Sequence, residues 1–209
     1  DYSTFSIFDI SKKPFKQVAI YRDNMISPLL FPDIIERYAR LYNDCLVIIE
    51  NNDQGQVVCN NLYYDIEYEN VFTQSSVKAS GIGVTMTKKT KQIGCSTLKE
   101  VLEENKLQII DKFTINELLT FVSKGQSWEA DGGHHDDLVM NLVMFSWFLT
   151  TPYFQSLTDL ELKKMLYDEQ QQVIEDDLVP AGFFAQEDEP EVFVEGGDIW
   201  TVVEGTKVY

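Results

Sequence analysis

The sequence predicts an α/β fold, a mixed sheet flanked by helices, on three observations. A strand hairpin opens the chain, strand-like and helix-like segments alternate after it, and one short apolar run reads as a central strand. Thr4 to Ile10 is rich in apolar residues, Lys12-Lys13-Pro14 marks a turn, and Gln17 to Arg22 supplies the second strand of the hairpin. From Pro32 to Asn43, Ile34, Ile35, Tyr38, Leu41 and Tyr42 recur at helical spacing, with Asp33 in the first turn. Cys45 to Glu50 is continuously apolar until its last residue, as a strand buried on both faces would be. Gly55 to Tyr64 reads as a helix, and residues 70–86 as a strand, a polar loop from Ser75 to Gly83, and another short strand. Thr97-x-x-Glu100 is a capping box and predicts a helix from Ser96 to Asn105. Leu107 to Ile110 is a short strand, and Thr114-x-x-Glu117 opens a further helix with the same kind of cap. After a loop from Gly125 to Gly133, a strongly apolar helix runs from His135 to about Thr150.

Beyond Thr150 the character changes, so the chain is expected to divide into a folded part, 1–150, and an acidic helical or extended segment, 151–209. Leu157 to Ile174 can form one acidic amphipathic helix; residues 175–198 hold runs of acid with Pro180, Pro190 and Gly196-Gly197, the composition of an extended or partly disordered tail. Net charge is −17, and residues 151–209 carry most of it, with fourteen acids against three lysines. Residues 1–150 are still acidic, twenty acids against fourteen lysines and arginines, which argues against tight binding to naked DNA without a helper. No apolar run approaches the ~20 residues that span a bilayer, and Asp1-Tyr2-Ser3-Thr4 lacks the basic and apolar regions of a signal peptide. Cys45, Cys59 and Cys95 are three, widely spaced and without a C-x-x-C, so they read as small core residues of a reducing compartment.

Three acidic positions stand out. Glu50 ends the most apolar strand, where open α/β sheets place their active crevice, although strands also end in charge simply on reaching solvent. Asp136 and Asp137 start the apolar helix; plain helix capping is one reading, and rigid oxygen ligands for Mg²⁺ are the other. Asp1 precedes the first visible strand. Phosphodiester hydrolysis explains why such acids converge, because two divalent cations about 4 Å apart can clamp the attacking and leaving oxygens. His134 and His135 read as exposed loop residues, and a zinc site is not encoded. There is no G-x-x-x-x-G-K-[ST], no G-x-G-x-x-G and no G-x-S-x-G. Lys88, Lys89 and Lys91 form the densest basic patch, suited either to phosphate contact or to a solvated face.

Leu46 to Asn52, Lys88 to Lys99 and His135 to Met140, in this order and spacing, resemble the C-terminal nuclease domain of the large terminase subunit of T-even-like phages. The resemblance runs from Asp1 to about Thr150. It implies an RNase H-like fold of the resolvase/integrase superfamily and a Mg²⁺-dependent endonuclease, with Mn²⁺ as a substitute and one or two ions bound. Such an enzyme cuts concatemeric viral DNA during headful packaging, in the cytoplasm of the infected bacterium at the portal vertex of the procapsid. The implied partners are double-stranded viral DNA, an ATPase domain upstream in the same subunit, the portal and the small terminase subunit. Carried over residue by residue, Glu50 matches the strand-end catalytic glutamate, the Asp136-Asp137 pair the helix aspartate (with the spacing favouring Asp137), and Asp1 an auxiliary acid. The family's first strand, with its primary catalytic aspartate, would lie upstream of Asp1. The residues alone leave two other readings open: another RNase H-like enzyme, such as a junction resolvase or transposase core, and a non-catalytic capsid or portal interaction domain.

Overall fold

The predicted hairpin forms: β1 (Ser3–Asp9) pairs antiparallel with β2 (Phe15–Asp23), with a bulge between Ile7 and Phe8. In this computed structural model, residues 2–74, 81–125 and 127–158 are described, together with the backbone of two strands near the C-terminus. The chain divides into two units, Asp1–Ser156 and Leu157–Tyr209. In the first, β3 (Leu107–Gln108) adds to β2 in parallel, giving the order β1-β2-β3.

Residues 45–50 meet the expectation of a two-faced strand only in part. Their backbone bonds to the 71–73 and 82–84 segments through isolated bridges, Val47 to Val71 and Glu50 to Val84, and the residues are half-buried. Val47 and Asn51 donate to the Asn70 and Val84 carbonyls at 2.9 and 3.0 Å, all on one edge. On the other edge, the N–H and C=O groups of Leu46, Ile48 and Glu50 make no backbone hydrogen bond among the described residues, which is why the strand is incomplete. Among the described residues, β1 is likewise paired on its β2 side alone.

Alternation along the strand segments feeds two apolar layers. Leu46, Ile48, Phe72 and Val84 face one core, with Phe8, Phe15 and the inner faces of α3 (Lys88–Glu103) and α5 (Asp137–Leu149). Cys45, Val47, Ile49, Val71 and Ile82 face the other, with Phe5, α1 (Phe31–Leu41) and α2 (Gly55–Asn60), which a π-helical turn, Asn61–Asp65, extends. Helices therefore pack on both sides of these strand segments, the mixed α/β architecture that the alternation predicts. Cys59 and Cys95 are buried as expected, but Cys45 is only partly so.

Two helix starts and one hairpin depart from expectation. α3 begins at Lys88, not Ser96: Thr87 accepts from the Thr90 N–H at 3.1 Å, and Thr97 lies inside the helix. α4 (Lys112–Thr120) is capped by Asp111, whose Oδ2 accepts from Thr114 N at 2.7 Å and Thr114 Oγ1 at 2.8 Å. The Thr114-x-x-Glu117 box is therefore not the start of that helix. Residues expected to be the end of a helix and a loop instead form a tight antiparallel hairpin, β4 (Phe121–Lys124) and β5 (Ser127–Ala130). Residues 152–158 are helical, and the rest of the predicted 157–174 helix lies outside the described residues. In the second unit, β6 (Val192–Glu195) and β7 (Asp198–Thr201) pair antiparallel, where an extended tail was expected. No helix among the described residues is long and apolar enough to cross a membrane.

Candidate active site

Glu50 is placed by its neighbours in sequence. Asn52 exchanges two hydrogen bonds with the backbone of Met86, both at 3.1 Å, and Asn51 donates to the Ile82 carbonyl at 3.0 Å. This clamp ties the strand end to the loop that becomes α3. Gly55 lets α2 start against it, since a Cβ there would collide with the Glu50 carbonyl oxygen. Burial pushes the Glu50 carboxyl above its ordinary range; Lys91 opposes the shift and Asp53 adds to it.

Lys88 and Lys89 are exposed and Lys91 half-buried, all in the first turns of α3. Positive charge here opposes the helix dipole, whose amino end favours anions. The Lys91 ammonium lies 5.8 Å from the centre of the Phe121 ring at the start of β4. Lys91 also lowers, and Asp136 raises, the Cys95 thiol that burial pushes up to about 11. Glu50 and Cys95 both feel the Lys91 charge, and Cys95 also feels that of Asp136.

Asp136 is the N-cap of α5 and Asp137 its first residue, both half-buried. Asp136 makes no side-chain cap hydrogen bond. Asp137 Oδ2 accepts from the Tyr2 N–H at 3.3 Å and lies 3.6 Å from His135 Nδ1, while its carbonyl accepts from Thr4 Oγ1 at 3.2 Å. Asn141, one turn on, donates to Thr4 Oγ1 at 3.1 Å and to Ser6 Oγ at 3.5 Å. The helix start is therefore bound directly to β1. His134 and His135 are exposed, as expected.

The cap that Asp136 does not provide comes from Glu117 on α4. Its Oε2 accepts from Leu138 N at 2.7 Å and Val139 N at 3.3 Å. Glu117 is a residue the sequence reading did not single out for the site, and it is only 7% exposed. Its one local signal was an acid three residues from Thr114 on the face that packs inward. Burial raises the Glu117 carboxyl, while the two backbone N–H groups and Arg22 lower it and Asp137 raises it. Arg22 Nε lies 3.6 Å from Glu117 Oε1, too far for a hydrogen bond, and its guanidinium stacks 3.5 Å from the centre of the Tyr2 ring.

The structure brings Asp136, Asp137 and Glu117 to one helix end, and Glu50 and Lys91 to one strand end. Among the described residues it gathers no group of three or more acids, histidines and cysteines close enough to hold a metal ion. Asp1 lies outside the described residues.

Comparison with known folds identifies what this architecture is. Solved structures of the large terminase nuclease from thermophilic phage G20c match with 20% identity over 70% of this chain and 74% of theirs. The TM-score is 0.57 for the one with bound magnesium and 0.56 for the one with bound cobalt. At that identity the likeness establishes the fold. The family model for the terminase RNaseH-like domain matches residues 1–146, so the chain belongs to the terminase RNaseH-like domain family.

Proposed function

We propose that this chain is the nuclease part of a large terminase subunit, a metal-dependent endonuclease that cuts concatemeric viral DNA during headful packaging. The observation that carries the reading is the state of the α5 amino terminus. Asp136 and Asp137 head a buried helix whose first-turn N–H groups are already capped by Glu117, so neither aspartate is consumed as a cap. Hydrogen-bond capping therefore does not account for the pair, which supports a role as metal ligands.

Glu50, Asp137 and Asp136 are the residues we assign to the metal, and Asp1 is an auxiliary acid. Their carboxylate oxygens are hard donors, which suit Mg²⁺ or Mn²⁺, and the phage G20c nuclease has been solved with magnesium and with cobalt. A bound divalent ion supplies charge stabilisation to the attacking and leaving oxygens of the phosphodiester. Lys88, Lys89 and Lys91 contact backbone phosphates: an anion at the amino end of α3 relieves the unfavourable placement of three lysines there. The resemblance places the family's first strand and its aspartate ahead of Asp1; β1 and residues 46–50 offer open edges where such a strand would pair. The upstream ATPase domain, the portal and the small terminase subunit are the partners this reading implies, and the host cytoplasm its setting.

A plasmid nicking and linearisation assay tests the assignment, comparing this chain with one extended upstream. Cutting that requires Mg²⁺ or Mn²⁺, stops on chelation and is abolished by Glu50→Ala or Asp137→Ala is the expected result. Undiminished cutting by both variants would sink the assignment.

A further inference from the structure

We propose that Glu117, backed by Arg22, is a positioning residue that fixes Asp137 for metal binding, an inference that rests on the reading of Asp137 as a metal ligand. The first N–H groups of any helix need acceptors, and the usual solution is the side chain of the N-cap residue itself. Here the N-cap residue is an aspartate, one of the best cap formers, yet its carboxylate makes no such bond. The bonds to Leu138 and Val139 come instead from a carboxylate 21 residues earlier, on another helix. A local cap by Asp136 would stabilise α5 without burying any extra charge. Glu117 is buried, and one of its oxygens has no hydrogen-bond partner among the described residues, as is also true of Arg22 Nε. Buried charge of this kind is expensive, so stability alone does not account for it.

Its connections converge on Asp137. Glu117 Oε2 holds the two N–H groups that follow Asp137, and Glu117 Oε1 faces Arg22 on β2. Arg22 packs on the Tyr2 ring, and the Tyr2 N–H donates to Asp137 Oδ2. The Tyr2 ring also meets the His135 ring edge-on at 5.0 Å, and His135 is the other neighbour of Asp137 Oδ2. Contacts thus close a ring around Asp137, tying the first turn of α5 to β2 and to the start of β1. Apolar packing alone sets the place of a helix such as α5; polar anchors of fixed geometry set the axial position and rotation of its first turn. Groups that orient metal ligands in this way commonly contribute about 10–100-fold to metal affinity or activity.

Mn²⁺ binding to the full chain, measured by titration calorimetry, tests this beside thermal unfolding without metal and the nicking assay. Glu117→Gln keeps an oxygen acceptor but loses the charge. It should bind Mn²⁺ about tenfold more weakly, at the lower end of that range. Glu117→Ala should bind more weakly still, and saturating Mn²⁺ should restore the turnover of the Gln variant. If Glu117→Gln unfolds at a lower temperature but binds Mn²⁺ as tightly as the native chain, Glu117 is a structural cap only and the proposal is overturned. Should the Ala variant not fold, the Gln variant alone decides. Asp137→Ala separates the two levels. If it leaves Mn²⁺ binding intact, Asp137 is not a ligand and the functional reading fails; if it abolishes binding while Glu117→Gln does not weaken it, only the present inference fails.

Discussion

Glu50 carries its charge where its surroundings disfavour it. Burial raises its carboxyl above the ordinary carboxylate value, and the Lys91 charge offsets this only in part. A folded-state value above the unfolded one gives a contribution to stability that is fully present below the unfolded value and lost as pH rises through the folded value. Glu50→Gln removes that loss. Without metal, the variant should unfold at a higher temperature than the native chain at neutral pH, and the gain should vanish below the ordinary glutamate value of 4.5. Thermal scans across pH check this; a gain that persists at low pH would contradict the burial account. Such a trade of stability for a charged group is common at functional sites. The placement of Glu50, Asp136 and Asp137 was legible in the sequence, because a strand end and a helix start are local patterns. The role of Glu117 was not, because a cap from another helix has no local spacing to read.

At the scale of elements, α3 and α5 pack closely enough to decide a substitution by its sign. A Cβ at Gly94 would run into the Val143 carbonyl on α5. Helix propensity alone says that Gly94→Ala stabilises by about 1 kcal/mol. Overpacking against an immobile backbone says that it destabilises by roughly 1–3 kcal/mol. The second effect should win, and urea unfolding of Gly94→Ala reads the difference; a gain in stability would mean that the helices can separate at no cost. The same close approach explains why α3 began earlier than its pattern suggests. The buried face of its first two turns is Thr90, Gly94 and Cys95, small residues that give no apolar stripe. The lysines consequently precede the helix expected from the sequence, although they form its first turns. The β4–β5 hairpin escaped for a related reason. Its four-residue strands are too short to show a period, and its turn was signalled chiefly by Gly125, which has a φ of 65°.

At the scale of the whole molecule, the charge is divided between two units. Residues 159–209 hold all fourteen acids of the C-terminal segment and its three lysines. A chain ending at Thr158 should therefore bind double-stranded DNA more tightly at low salt, the advantage shrinking as salt screens the lost repulsion. Fluorescence anisotropy against ionic strength measures it, and equal affinities at all salt concentrations would show that the acidic segment stays away from the DNA path. The opening hairpin, the alternation of strands and helices after it and the chain positions of the acids were determined by the sequence by itself. Those features rest on side-chain periodicity and on interactions within a few residues. The tertiary structure decided which carboxylate caps α5, which acids are thereby left free, and how far the lysines lie from Glu50. These depend on groups distant in sequence that meet only when the helices pack, and the free energy of a buried charge is set by that meeting.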